Sequence, residues 1–357
     1  MILNHPLQTI EEATPEWLTH VLQEQGYLDE GAVLNVQTKT EKSSNADTAR
    51  LTLIYSKEAI GRMPANLFLK LCSVNAEQFG SSEISYYTTI AAQIQDPPIP
   101  HCYHSAYATT TGHYHLLLED LTDTHTPNWK VKPTWENAAK TIDAMAKLHA
   151  SWWNHPQLGT IGKLPDEVAI EDYISHPAQG LMPMLEDVGK TLPQPWLELI
   201  HRIFDRHGYK LKERARNSDR LTCIHGDPNP GNILSPIALD GKTFLIDRQL
   251  FDWSLSIWLG VSDIAYMMVH WWDTESRRQS EQPLLQHYYQ KLEQFGIHSY
   301  SFTELWDDYR FCAMQSLYVV AAWCIDAAEQ SKYKWVWLPQ LKKTITACID
   351  LNCMELL

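Results

Sequence analysis

The segment that most constrains this chain spans residues 221–247. It opens on Leu221-Thr222-Cys223-Ile224, passes through His225-Gly226-Asp227-Pro228-Asn229-Pro230-Gly231-Asn232, and returns to apolar Ile233-Leu234. A loop so dense in Asp, Asn, Pro and Gly carries too many polar groups to be hidden in a core, so its flanking strands must present it at a surface. Further on, Thr243-Phe244-Leu245-Ile246 is a second apolar strand, and it ends in Asp247. Two strands therefore deliver Asp227, Asn232 and Asp247, and the pattern predicts that the three serve one site. A tight turn made of good turn formers is the plainer reading of the loop, but it leaves the flanking strands and Asp247 unexplained.

This set of oxygen donors suits phosphoryl transfer. Asp227 and Asn232 stand at the D-x-x-x-x-N spacing of a kinase catalytic loop, where the acid receives the acceptor's proton and the amide oxygen ligates magnesium. Magnesium takes hard oxygen ligands beside the phosphates, and a nucleophilic hydroxyl needs a proton acceptor in line with them.

The rest of the chain falls into two patterns. Thr14-Pro15-Glu16 combines a capping residue, a proline at the first helical position and an early acid, and Trp17, Leu18, Val21 and Leu22 follow at helical spacing. Val33-Leu34-Asn35-Val36 and Leu51-Thr52-Leu53-Ile54-Tyr55 read as strands separated by the polar residues 42–47, and Leu67-Phe68-Leu69-Lys70-Leu71-Cys72 is a third strand, apolar but for one lysine. Ser81-Ser82 is expected to cap a helix to about Gln95, ended by Asp96-Pro97-Pro98. Two more strands, residues 102–107 and 113–118, flank the turn Thr109-Thr110-Thr111-Gly112. From Pro133 onward the period is helical: Trp135, Ala138, Ile142, Met145 and Leu148 share one face, and a second helix spans residues 195–209.

Composition sets the limits. At roughly 150 residues per domain, 357 residues suit two units or one fold of two lobes. Hydrophobic residues at 44% against 20% charged exclude a disordered chain. A net charge of −14 repels a phosphate backbone, so no nucleic-acid partner is expected. No apolar run approaches the roughly 18 residues of a membrane span. The first residues lack a basic and then apolar leader, so the expected location is the cytoplasm. Seven scattered cysteines fit reduced, structural thiols. Alternation on a strand accounts for His113-Tyr114-His115 more simply than a metal site does.

Taken together, residues 225–232, Asp247, the stretch Ala144-Met145-Ala146-Lys147-Leu148-His149-Ala150 and the stretch Gly260-Val261-Ser262-Asp263-Ile264-Ala265-Tyr266 resemble the aminoglycoside phosphotransferase and choline kinase superfamily, the small-molecule relatives of protein kinases. The likeness covers nearly the whole chain. It implies an α+β, bilobal protein-kinase-like fold: a small antiparallel-sheet lobe over residues 1–118 that binds nucleotide, a hinge at 119–122, and a larger, mainly helical catalytic and acceptor-binding lobe over 123–357. It also implies roles. Lys70 resembles the strand lysine that contacts the nucleotide phosphates, and Glu83 its ion-pair partner. Ser43, Ser44 and Asn45 occupy the place of the phosphate-covering loop, although they lack its glycines. Glu119, Asp120 and Leu121 form the hinge whose backbone meets adenine. Asp227 is the catalytic residue, Asn232 and Asp247 the magnesium ligands, and Asp263 a buried acid that holds the catalytic loop by accepting backbone hydrogen bonds. Two departures stand out: Arg248-Gln249 follows Asp247 where relatives usually carry an aromatic residue and then Glu or Gln, and the stretch from Trp253 to Gly260 lengthens the path to Asp263.

The implied activity is ATP- and magnesium-dependent phosphorylation of a hydroxyl on a small-molecule acceptor. A non-catalytic nucleotide-binding module of the same fold is the alternative, but it has no use for Asp227. A hydrolase built on His225 is a third reading, and it lacks a G-x-S-x-G nucleophile. Eight of fourteen Trp follow the catalytic loop, and most are expected in the core. Trp271-Trp272-Asp273 and Trp335-Val336-Trp337 are candidates to line an acceptor pocket. The aromatic and acidic residues after Asp252 favour a cationic or largely apolar acceptor; against this, Arg248 could pair with an acceptor carboxylate.

Overall fold

The computed structural model describes residues 5–42, 46–72, 81–132, 134–238 and 240–357. The chain divides into two compact units. The first comprises the described residues up to Thr126 together with those of Pro236–Gly241 and Ile246–Asp252; the second comprises the remainder.

The first unit is built on a five-stranded antiparallel sheet in the order β1-β2-β3-β5-β4, with β1 Val33–Lys42, β2 Asp47–Tyr55, β3 Asn66–Cys72, β4 Cys102–Tyr107 and β5 Tyr114–Glu119. Strands β1 and β2 are longer than their apolar cores suggest. The polar run Gln37-Thr38-Lys39-Thr40-Glu41 continues the ladder, with Glu41 opposite Thr48 and Lys42 opposite Asp47, so the two strands take in residues that the sequence pattern left between them. Thr and other β-tolerant residues can extend a solvent-facing hairpin when the partner strand supplies the hydrogen bonds. Period-two alternation sorts β3: Leu67, Leu69 and Leu71 join the core with Leu51 and Leu53, and the helix Pro15–Glu24 covers that face with Trp17, Leu18, Val21 and Leu22. That helix starts as its sequence requires, Thr14 Oγ1 accepting from Trp17 N at 3.2 Å. Lys70, one residue out of phase with the leucines, is turned to the opposite face of the sheet.

The helix expected after Ser81 is shorter and differently wound. Ser81 makes no side-chain cap, the α-turn Ser82–Ser85 passes into a π-helical turn at Tyr86–Ile90, and helix ends at Ala92. The wider turn lets Tyr86, Tyr87 and Ile90 all be buried. Ser82 is engaged elsewhere: its hydroxyl accepts from Leu250 N at 3.3 Å.

The second unit is mainly helical around short strands. Leu221–Cys223 pairs antiparallel with Ile257–Leu259, and Ile233 and Leu234 pair with Leu245 and Phe244. Helix Trp135–Ser151 buries Ile142, Met145 and Leu148 as expected, while Trp135 stays 48% exposed. The helix read at 195–209 extends over Gln194–Ala215. Among the described residues no helix is long and apolar enough to cross a membrane, and no three His, Cys, Asp or Glu side chains cluster to hold a metal.

Candidate active site

In the first unit, β3 and the turn at Ser82–Ser85 bring Lys70 and Glu83 together inside the protein. Lys70 Nζ lies 2.8 Å from Glu83 Oε1 and 2.9 Å from Oε2, and it also pairs with Asp247 Oδ1. Lys70 is 8% and Glu83 1% exposed. Burial opposes the ammonium charge, but the Glu83 and Asp247 carboxylates outweigh it and raise the Lys70 pKa. The opposite balance holds at Glu83, where burial dominates the attraction of Lys70 and moves the carboxyl upward. The carboxylate is held by more than the lysine. The Tyr114 hydroxyl donates to it, and Gln249 Nε2 donates to Glu83 Oε2 at 3.1 Å and to the Tyr114 oxygen at 2.8 Å.

Asp247 follows the strand Phe244–Leu245 and sits at φ 61, in the left-handed region that costs a non-glycine residue energy. Its N–H donates to the Tyr87 hydroxyl at 3.2 Å, and its side chain is 39% exposed. Arg248 is fully buried, its guanidinium 5.9 Å from the centroid of the Tyr86 ring. Such a residue does not reach out to an acceptor carboxylate, so the alternative role for Arg248 falls away.

Glu119 ends β5, its N–H donating to His101 O at 2.8 Å. Asp120 pairs with Arg50 at 2.5 Å, and the Leu121 carbonyl accepts from His125 N at 2.8 Å. Ser43, Ser44 and Asn45 lie outside the described residues.

In the second unit the strand Leu221–Cys223 feeds the loop through Gly226, at φ 83, a conformation that suits glycine directly before Asp227. Two amides close on that acid: Asn229 Nδ2 donates to Asp227 Oδ2 at 3.1 Å, and Asn232 Nδ2 at 3.2 Å. Asn232 Nδ2 also reaches the Asp227 carbonyl at 3.0 Å, which commits the amide nitrogen inward and leaves the amide oxygen as the group for a cation. The half-buried Tyr266 phenol is hydrogen-bonded to Asp227 as well; desolvation and then the Asp227 charge push its pKa well up, so it stays a neutral donor.

Asp263 holds this loop from beneath, accepting from His225 N at 2.6 Å and Gly226 N at 2.8 Å. The His149 ring completes the arrangement, with Nε2 3.0 Å from Asp263 Oδ2 and Nδ1 2.9 Å from the Tyr288 hydroxyl. Burial would raise the Asp263 carboxyl, yet the bond to His149 and the loop amides win and hold it below its ordinary range. Gly260 makes room for this packing, since a Cβ there would lie 2.8 Å from the His149 ring and 2.6 Å from the Tyr288 oxygen.

Lys70, Glu83 and Asp247 are thus gathered in the first unit, and Asp227 with Asn232 in the second. Sequence reasoning missed Tyr114, Gln249 and Tyr266 as partners of these acids. Gln249 carried a signal in its position two residues after Asp247, and Tyr266 in its place three residues after Asp263.

Small-molecule kinases are among the solved structures of similar fold. Choline kinase from Cryptosporidium parvum Iowa II matches with a TM-score of 0.59 at 10% identity, over 96% of this chain and 97% of that one. A GDP complex of a mutant aminoglycoside 2'-phosphotransferase-IIIa matches with a TM-score of 0.54 at 11% identity, over 92% and 96%. No curated protein sequence matches the chain. The ecdysteroid kinase-like family matches residues 70–298, more than half of the sequence, and the chain belongs to that family.

Proposed function

We propose that the protein is an ATP:alcohol phosphotransferase acting on a small hydroxylated acceptor. The observation that carries this reading is the buried Lys70, paired at once with Glu83 and Asp247. A lysine so placed is costly unless its charge is used, and a nucleotide's phosphates would use it.

Asp227 orients the acceptor hydroxyl and accepts its proton as the oxygen–phosphorus bond forms and the bond to the ADP oxygen breaks. Asn229, Asn232 and Tyr266 hold that carboxylate in one orientation, so its geometry is set before substrate arrives. Lys70 steadies the phosphates, and Glu83 fixes Lys70. The backbone at Glu119 and Leu121 would meet the adenine edge, and the phosphate-covering role stays with Ser43, Ser44 and Asn45 by the family resemblance alone. Magnesium, when bound, would neutralise phosphate charge; the Asp247 carboxylate and the Asn232 amide oxygen are the hard oxygen donors assigned to it. The family's description adds a hydroxylated steroid to the acceptors worth testing, beside the amino sugars and choline suggested by the structural relatives.

A coupled assay of ATP consumption over such acceptors tests the reading, with Asp227→Asn as the blank. Acceptor-dependent ADP formation by the wild type alone supports it. A protein that binds ATP but consumes none with any acceptor would be the nucleotide-binding module instead.

A further inference from the structure

In the second unit the π-helical turn Tyr266–Trp271 packs against the helix Lys334–Asp350. Three polar side chains are buried on these two elements: His270 on the turn, and Gln340 and Thr344, four residues apart on one helix face, at 0%, 3% and 0% exposure. Both ring nitrogens of His270, both amide atoms of Gln340 and the Thr344 hydroxyl lack a hydrogen-bond partner among the described residues. Gln340 meets the His270 ring across the contact, but no hydrogen bond closes between them.

Comparable groups elsewhere in the chain are satisfied. His115 Nδ1 accepts from Leu7 N at 3.0 Å, His149 is held by Asp263 and Tyr288, and His207 Nδ1 lies 3.2 Å from the Tyr318 hydroxyl. Helical threonines ordinarily return the hydroxyl to the carbonyl four residues back. Thr19, Thr88, Thr141 and Thr346 do so, and Thr344 does not. A buried donor or acceptor left unpaired costs about 1–3 kcal/mol, so a cluster of five such atoms marks a place built for a guest that supplies their partners.

The chemistry of that guest follows from the cluster. Burial holds the His270 imidazole neutral, and Lys343, the charge that acts on it, is engaged, its Nζ donating to Trp271 O at 2.8 Å. Only neutral donors and acceptors are on offer, and the same two elements otherwise bury apolar side chains, among them Met267, Met268, Leu341 and Ile345. The position is next to the candidate base. The Tyr266 ring stacks on His270 with centroids 5.0 Å apart and planes 15° from parallel, while its phenol is bonded to Asp227. Tyr266 and Trp271, at the two ends of the turn, are both half-buried and so border solvent.

We propose that His270, Gln340 and Thr344 form a specificity subsite that takes a neutral oxygen, a ketone or a hydroxyl, at the end of the acceptor remote from the hydroxyl on Asp227. The identity of the guest as acceptor rests on the phosphotransferase reading. An acceptor with an ammonium at that end would meet Lys343 and no carboxylate in the cluster.

Calorimetric titration of the whole chain, without nucleotide, tests the subsite with two near-isosteric probes, 6-acetyl-2-naphthalenemethanol and 6-isopropyl-2-naphthalenemethanol. Each carries an alcohol for Asp227, and they differ in one ketone oxygen at the far end. The ketone is expected to bind about tenfold more tightly, the share of one buried hydrogen bond. Gln340→Met should remove that preference and leave the affinities for the isopropyl compound and for ATP unchanged. Thr344→Val, which keeps the side chain's shape, should reduce the preference and stands in if Gln340→Met does not fold. A preference that survives in both variants, even with altered melting, would mean that the three side chains hold ordered water only, and it overturns the proposal. Equal binding of the two probes, or saturable binding of neither, overturns it as well. Incubation with ATP and magnesium separates this result from the wider reading: a ketone preference in binding with no phosphorylation of either probe leaves the subsite standing and counts against the phosphotransferase, whereas phosphorylation of both at equal kcat/KM with equal affinities does the reverse.

Discussion

Lys70 Nζ lies within 2.9 Å of both Glu83 carboxylate oxygens, and the two residues are each less than a tenth exposed. A pair this deep is maintained by its surroundings, here Tyr114, Gln249 and Asp247, because desolvation alone would cancel the Coulomb gain. Removing the cation strands two acids. Lys70→Met is expected to destabilise the first unit by about 3–5 kcal/mol, the range for breaking a buried pair, and to weaken ATP binding. Glu83→Gln should cost less, since its amide can still be hydrogen-bonded by its neighbours. Thermal melts and ATP titrations of both variants check this; wild-type melting and affinity in Lys70→Met would show that the pair supports neither fold nor nucleotide.

Asp227→Asn separates chemistry from binding. The amide keeps the shape of the carboxylate but cannot take a proton, so acceptor-dependent turnover is expected to fall by about 10²- to 10⁴-fold with ATP affinity unchanged. Equal losses in turnover and ATP affinity would place Asp227 on the nucleotide instead of the acceptor.

These acids were legible in the sequence for a physical reason. Asp227, Asn232 and Asp247 are polar residues at the ends of apolar strands, and Lys70 interrupts an apolar strand, so each breaks a local pattern and advertises itself. Asp263 was legible only through the family resemblance, and its contacts with His225 and Gly226 follow that reading. Tyr114 and Tyr266 do not break any pattern, because a tyrosine in a buried strand or helix is ordinary until its hydroxyl is seen to meet a carboxylate. The π-helical turn at Tyr86–Ile90 was likewise invisible, since an apolar period does not report one extra residue per turn. The length of the β1–β2 hairpin was underestimated because cross-strand pairing, and not hydrophobicity, holds its outer end.

Asp263→Ala tests the support of the loop. It leaves the His225 and Gly226 amides and the His149 ring without their acceptor, at about 1–3 kcal/mol for each stranded group. The variant should melt earlier and lose turnover, and the loop should become susceptible to limited proteolysis at residues 225–232. An unaltered melt and digestion pattern would contradict the clamp.

Three buried imidazoles set the acid response. Burial pushes His115, His207 and His270 each down to about 3, far below the ordinary value of 6.5. A histidine with a depressed folded pKa takes up its proton more readily when unfolded, so its contribution is complete above pH 6.5 and is lost progressively as pH falls from 6.5 toward 3. Near pH 5 the loss is about 2 kcal/mol per imidazole. Urea denaturation should therefore show clearly lower stability at pH 5 than at pH 7, and His207→Gln, which cannot titrate, should reduce that difference. A pH-independent midpoint across this interval would mean that the imidazoles are protonated as readily in the folded chain as in the unfolded one.

The most direct test of the central claim is ³¹P NMR of the wild-type protein with ATP, magnesium and its best acceptor. A phosphomonoester resonance growing in step with ADP, and absent with Asp227→Asn, is the predicted result. Release of inorganic phosphate alone, or the same phosphomonoester formed at an undiminished rate by Asp227→Asn, would contradict it.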